Sequence, residues 1–576
     1  MLGLADNRAG YNGVPFIQDN IVTTNLPGGG PVQYAVAWNS SRRPIIQRRV
    51  LPDGLWSQFD LATVSGNPLA SPVSVDPHND ICTGIDASGR LHVAGNMHNA
   101  PMRYCRSVNP HSITSWTSTG RPGGGSTSIT YPQFVRLSDG TLFLFYRVGT
   151  SSSGAIYSER WNPATQTWTA RTKVLDGAPT SDNPYLHHIA VGNDDAVHLA
   201  VIWRATGMAA TNRDLCHLVS RDRCVTWQSQ AGAPLSLPVT RPTAPVVFTA
   251  GSNSGILNTG GLDVTPAGTP HIATHIWNSS ATASRILHSW WNGSAWENER
   301  LMGWTYKMPL DVSLVNAEVA RPGVFCTSDD RAFIIYRMNR DRLRGAVHIL
   351  EVTPGAERTD TPICAIDLHA WEPSFDSRAI RDRGELHMLL TPCKSPDAAL
   401  AENKNVSDTA WTREWLGVLT VDLTYVDEIS TVPRIEPVEG GALSGAAPTF
   451  TNPSFSDVSL QAVPIPGDYA GHQLLARSTV RANITRITST GRLRLQQKNS
   501  NGQLVGTLAE HTLLPGSTGS RISWSPWTSL TFNEAANLNG QYVNYSAQVS
   551  GGGGLRVTAG SVEIGVLVDA DGSPAR

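Results

Sequence analysis

Apolar and polar residues alternate along the first three-quarters of the chain in short runs, each broken by a tight turn. Thr83–Val93 turns through Asp86, Ser88 and Gly89, and Phe134–Leu144 turns through Ser138, Asp139 and Gly140. Ile189–Ala200, Leu262–Thr274, Val324–Tyr336 and Ala379–Leu390 repeat the pattern, and Tyr34–Arg48 reads as one more copy. A period of two places alternate side chains on opposite faces, so each copy predicts a β-hairpin. A tryptophan often follows where an outer strand begins or ends: Trp56, Trp116, Trp168, Trp227 and Trp296. Repetition at roughly 50 to 70 residues matches four-stranded blades. Seven copies therefore predict an all-β, seven-bladed β-propeller over residues 1–434.

The pattern weakens past Tyr425, and residues 435–448 read as a linker from their Gly, Pro and Ala content. Beyond them Leu474–Ile487, Arg492–Gln497, Ser520–Leu530, Tyr542–Val549 and Leu555–Val568 alternate again. Short strands with glycine-rich turns predict a second domain over 449–576, a jelly-roll-like β-sandwich. Carbohydrate binding and homo-oligomerisation suit such a domain equally.

Composition narrows the partners. Charged residues make up 16%, and 45 Lys and Arg nearly balance 47 Asp and Glu without a basic stripe. Nucleic acid is therefore not an expected partner. The seven cysteines show no paired spacing, so neither a disulfide framework nor a zinc ribbon is signalled. No apolar stretch is long enough to cross a bilayer, so no membrane partner is expected. The first residues lack a basic region followed by an apolar run. Extracellular action is then expected through another export route or on a virion.

Residues suited to proton transfer bracket two of the hairpins. His78 and His98 flank the first, among Asn79, Asn96 and Asn99. Tyr131 precedes Pro132, and Arg147 follows an aromatic-rich strand. Loops at strand ends are where propellers carry function.

Over residues 30–390 the chain resembles the BNR-repeat polysaccharide lyases whose best-known members are ulvan lyases. The resemblance rests on ordered motifs: Asp76-Pro77-His78-Asn79, Leu91-His92-Val93, His98 to Tyr104, Thr130-Tyr131-Pro132, and Phe145-Tyr146-Arg147-Val148-Gly149-Thr150-Ser151. Asn183-Pro184-Tyr185, Ile202-Trp203-Arg204 and Trp371 to Asp376 follow in order. It implies β-elimination on a uronate-containing anionic polysaccharide, with His78, His98, Tyr131 and Arg147 catalytic and Arg204, Tyr185 and Asn183 binding substrate. The chemistry agrees with those residue types. Elimination removes the C5 proton beside a carboxylate and expels the C4 oxygen, so it needs a base, an acid and a cation. An arginine fork suits the carboxylate, and histidine titrates near neutrality. No cofactor is required for that step.

Other readings stay open. His92, His198, His271 and His387 follow the turn within a hairpin strand and read as packing residues. His187, His188, Cys216, His217, Cys224, His271 and His275 are ligand-type residues, so a structural zinc between blades is an alternative at no diagnostic spacing. Ser220-Arg221-Asp222-Arg223-Cys224-Val225-Thr226-Trp227 approximates the Asp-box of sialidase-like propellers, with Cys224 where glycine is usual. A sialidase-type hydrolase is therefore a rival function, with Arg48, Arg321 and Arg337 as its arginines. A non-catalytic glycan-binding adhesin, such as a phage tail component, is the third.

Overall fold

The computed structural model describes residues 19–423 apart from internal stretches, the longest being 308–320 and 395–411, together with the strands between 434 and 568. Asp76, Pro77, Trp371 and Pro373 of the motifs above lie outside the described residues. The chain divides into two compact units, Met1–Val426 and Asp427–Arg576.

The first unit is a seven-bladed β-propeller. Its blades span residues 21–60, 81–117, 129–176, 183–248, 261–303, 323–364 and 374–422, each an antiparallel sheet, the last joining Ser374–Phe375, Glu385–Leu390 and Gly417–Asp422. Apolar clusters fill the spaces between blades rather than a single centre. Val32, Val36 and Ile46 of blade 1 pack on Ile81, Leu91 and Val93 of blade 2. Blades 2 and 3 share Met97, Tyr104, Phe134 and Leu144, and blades 3 and 4 share Phe145, Leu199, Trp203 and Trp227. The ring closes where Ile21 and Ala35 of blade 1 meet Phe325 of blade 6 and Met388 of blade 7 in one cluster. A buried polar clasp adds to that closure: Thr23 Oγ1 donates to Asp376 Oδ2 at 2.5 Å, and Gln33 Nε2 lies 2.6 Å from His387 Nδ1.

The tryptophans mark the fourth strands as expected. Trp116, Trp227 and Trp296 each open one, Trp168 closes another, and Trp56 immediately precedes a fifth. Asp222 holds the Asp-box turn, accepting from Thr226 N at 2.9 Å and from Thr226 Oγ1 at 2.6 Å. Cys224 adopts φ 64° there, a left-handed conformation that explains why glycine is the usual residue.

Two hairpin readings change. Tyr34–Arg48 is the middle hairpin of blade 1, because Ile21–Asn25 supplies the inner strand. The first arm of Ala379–Leu390 is a helix, α1 (Ser377–Arg383). Asp376 caps it by accepting from Arg378 N and Ala379 N, Gly384 ends it at φ 68°, and Ala379 and Ile380 bury one face. Those caps outweigh a two-residue alternation in so short a segment.

In the second unit, two antiparallel sheets form. One pairs Arg434–Leu443 with Gly554–Val568, which also pairs with Leu474–Thr485. The other joins Gly491–Lys498 to Leu504–Leu513 and Tyr542–Val549. Arg434–Leu443 thus makes an edge strand that runs through most of the stretch that composition reads as linker.

Candidate active site

All seven residues singled out in the sequence meet on blades 2, 3 and 4, at the ends where inner strands begin and second strands finish. His78 sits three residues before the inner strand Ile81–Ile85, and His98 three residues after Leu91–Gly95. Neighbouring blades anchor both loops. Trp38 Nε1 of blade 1 donates to Asn79 O at 3.1 Å. Asn99 N donates to Thr130 Oγ1 of blade 3 at 2.9 Å, and Asn96 and Asn99 take left-handed φ values of 59° and 54° to turn the chain. The two imidazoles consequently stack, with ring centroids 4.0 Å apart and 16° between planes. His78 is half-buried and His98 exposed.

Tyr131 lies 5.8 Å from His78, centroid to centroid. Pro132 has no N–H for the sheet, and the register slips between Phe145 and Arg147 opposite it. This bulge sets Tyr131 at φ 58°, a conformation costing a bulky residue about 1–3 kcal/mol. Bulges of this kind re-aim side chains beside active sites. Burial, then the Tyr185 phenol, pushes the Tyr131 hydroxyl above its ordinary range, and Arg204, Arg147 and Arg321 pull the other way. Tyr131 therefore keeps its proton near neutral pH.

Tyr185 connects the tyrosine to two guanidiniums. Its ring stands 6.1 Å from Tyr131, edge to face, while Arg147 Cζ lies 4.3 Å and Arg204 Cζ 4.0 Å from its centroid. Its hydroxyl donates to Ser151 O at 3.2 Å. Arg147 is 2% exposed and, among the described residues, donates to backbone carbonyls: Pro184 O at 3.1 Å, Gly149 O at 3.0 Å and Thr150 O at 2.7 Å. Arg204 is 9% exposed and donates to the amide oxygens of Asn212 and Asn258 at 2.6 and 2.5 Å. Asn183 Nδ2 donates to Arg204 O at 3.2 Å.

Neither arginine has a carboxylate partner among the described residues. Elsewhere three part-buried arginines are matched, Arg321 with Glu372 at 2.7 Å, Arg331 with Glu351 at 2.7 Å and Arg381 with Asp263, whereas the buried Arg106 donates to the Gln166 amide oxygen at 2.8 Å. Burying an unmatched charge is costly, so two of them side by side indicate a site built to receive an anion. Burial lowers the Arg147 pKa, and Arg204 lowers it further.

Asn212, Asn258, Ser151 and the Arg321–Glu372 pair were not anticipated. Glu372 lies within the motif Trp371 to Asp376 and Ser151 closes the motif that begins at Phe145, but the two asparagines lie in stretches without pattern.

The residues considered for zinc do not assemble. His275 spends Nδ1 on Gly255 O at 2.7 Å and Nε2 on Ser284 Oγ at 2.8 Å. His198 pairs with His217 at 3.1 Å and His271 with His288 at 3.0 Å. Burial pushes the Cys216 and Cys224 thiols up to about 12, away from the thiolate that binds metal. Among the described residues no three metal-binding side chains are grouped. His92, His198, His271 and His387 are all buried within their blades, His92 donating to or accepting from Tyr104 Oη at 2.6 Å.

Among the described residues, the tyrosine–glutamate pair a sialidase would need has a counterpart in Tyr146, which donates to Glu159 at 2.6 Å. Tyr146 is fully buried and stacked on Tyr157, with no face open to a sugar. Arg321 and Arg337 line an axial cavity of about 440 Å³ away from that pair, and Arg48 does not line it.

Residues 32–304 match the family described as BNR repeat-containing family member. The chain is 22% identical over 269 residues to an ulvan lyase of Nonlabens ulvanivorans, covering 38% of this chain and 53% of that protein. It is 25% identical over 248 residues to "Ulvan Lyase-PL25" of Pseudoalteromonas sp. (strain PLSV), covering 37% and 47%. The chain thus spans about half the length of the curated relatives it matches. Among solved structures it resembles a polysaccharide lyase PL25 ulvan lyase bound to -[GlcA(1-4)Rha3S]-, with a TM-score of 0.52 and 16% identity over 73% of this chain and 99% of that one. That likeness supports the propeller. No described helix is long and apolar enough to cross a membrane.

Proposed function

We propose that the propeller is a polysaccharide lyase that cleaves a uronate-containing anionic polysaccharide by β-elimination. One observation carries the reading: two buried guanidiniums without a carboxylate partner among the described residues flank Tyr185, next to a strained tyrosine and a stacked histidine pair. The relatives named ulvan lyases, and the glucuronate–rhamnose sulfate ligand of the similar structure, support a polymer of that class.

In this reading Arg147 and Arg204 bind the uronate carboxylate and carry the charge that develops on it as the C5 proton leaves. His98, exposed and stacked on His78, takes that proton. The C5–H and C4–O bonds break, a C4–C5 double bond forms, and Tyr131 protonates the departing C4 oxygen. No water is consumed. His78 orients His98, and Tyr185 and Asn183 keep the arginines in place. The charge neutralisation is worth about 3–4 kcal/mol by analogy with oxyanion-site donors.

We read residues 449–576 as a β-sandwich that binds glycan or joins subunits, and the site of action as extracellular. A panel of uronate polysaccharides, including a glucuronate–rhamnose sulfate polymer, tests the function. New ultraviolet absorbance from the conjugated double bond is expected. Chain cleavage without that chromophore would sink the reading in favour of a hydrolase.

A further inference from the structure

We infer that Asn258, together with Asn212, is a positioning residue that fixes Arg204 through neutral acceptors and so leaves its charge available to the substrate carboxylate. The inference rests on the reading of Arg204 as a carboxylate-binding group. Two demands meet at that guanidinium: it must be held in one orientation, and its charge must not be cancelled by the protein.

Orientation comes from three blade elements. Arg204 ends the second strand of blade 4 and faces Asn212 in register on the third strand. Asn212 Oδ1 accepts from Arg204 Nε at 2.6 Å, while Asn212 Nδ2 donates to Ile256 O at 3.0 Å. That second bond fixes which way the Asn212 amide faces. Asn258, just before the inner strand of blade 5, accepts from Arg204 Nη2 at 2.5 Å. Both asparagines are buried, at 1% and 5% exposure. The guanidinium is thus clamped at two nitrogens against the Tyr185 ring.

A carboxylate at either position would hold Arg204 more firmly, since charge-assisted bonds are the stronger kind. It would also neutralise it. Arg321 illustrates the outcome, with Nε and Nη2 both held by Glu372 Oε2. Amides at 212 and 258 give geometry without a competing charge. The rival account is that Asn258 merely ties blade 5 to blade 4.

Asn258→Asp separates the two, because it changes one NH₂ to oxygen and keeps the size and the bond. We expect Asn258→Asp to melt no lower than wild type, yet to raise KM and lower kcat/KM about 100-fold, as an internal carboxylate a few ångströms from the substrate's would do. Asn258→Ala, which loosens the clamp but adds no charge, should fall only about tenfold. A purely structural tie predicts the reverse order, with losses that follow the melting temperature. Wild-type kinetics for Asn258→Asp would overturn the inference.

Calorimetric binding of a uronate oligosaccharide and its carboxyl-reduced counterpart gives a readout independent of turnover. Wild type should prefer the carboxylate form, and Asn258→Asp should lose most of that preference. If it does so while no unsaturated product ever forms, the positioning role stands and the lyase reading falls. If wild type shows no preference for the carboxylate, the inference is overturned along with the role of Arg204.

Discussion

A single methyl group placed well away from the reacting bond should disable the site. Gly154 faces Arg147 across blade 3, and a Cβ there would lie 2.2 Å from Nη2, 2.5 Å from Cζ and 2.8 Å from Nε. Ordinary contact begins near 3.4 Å, so Gly154→Ala must push the guanidinium by about 1 Å. Arg147 cannot yield freely, because three carbonyls and the Tyr185 ring hold it. Displacement on this scale costs on the order of 100-fold in turnover. Loss of one or two carbonyl bonds should remove roughly 1–3 kcal/mol of stability. Initial rates of double-bond formation and thermal melts on the same preparation measure both. Gly251→Ala, where the added Cβ has nothing within 4 Å, is the control and should behave as wild type. Wild-type turnover by a well-folded Gly154→Ala protein would refute the claim that Arg147 acts from its observed position.

Tyr131→Phe and His98→Ala should each lower turnover by about 10²–10⁴ with cooperative unfolding retained, whereas His92→Asn should lower the melting temperature and spare the rate, since His92 is buried against Tyr104 and Asp86; near-native rates in the first two would place the chemistry elsewhere. Cys224→Gly should melt within a few degrees of wild type because it relieves the left-handed backbone, while Cys224→Val, β-branched at φ 64°, should melt well below it. Burial depresses His187 and His275 to about 4 and His188 and His198 to about 3, below the unfolded value near 6.5. Their contribution to stability is present above about 6.5 and lost as pH falls through the folded values; a melting temperature constant from neutral pH down to about 4 would contradict this. Asp19, pushed up to about 8 by burial and by Asp376, has its folded value above the unfolded one, so its contribution is lost as pH rises through about 8. That loss begins above the unfolded value near 3.8 and is complete past about 8, and Asp19→Asn should remove it in the same melts.

The propeller was legible because each blade repeats one cheap local signal, an alternating hairpin closed by a polar turn. Its limits were equally local. Ala379–Leu390 imitates the hairpin in composition, and only Asp376 and Gly384, the cap residues, reveal the helix between them. His78, His98, Tyr131 and Arg147 stood out because they occupy strand ends in ordered motifs, and the fold does bring them together. The strain at Tyr131 was not readable; Pro132 signals a break in pairing, but the left-handed turn depends on how Arg147 registers against Thr130. Asn212 and Asn258 were invisible for a different reason. Asn258 lies 54 residues from Arg204, in a stretch with no pattern, and their contact exists only because blade 5 packs beside blade 4. That neither arginine meets a carboxylate among the described residues is likewise a property of three dimensions.

The most direct test of the central claim is the mass balance of a single cleavage. A defined uronate oligosaccharide, digested once and analysed by mass spectrometry, gives two products whose masses either equal the parent in sum or exceed it by one water. Elimination predicts equality, with the unsaturated residue at the new non-reducing end and its formation lost in Arg147 and Tyr131 variants. A sum that exceeds the parent by one water would mean hydrolysis, and would contradict the account.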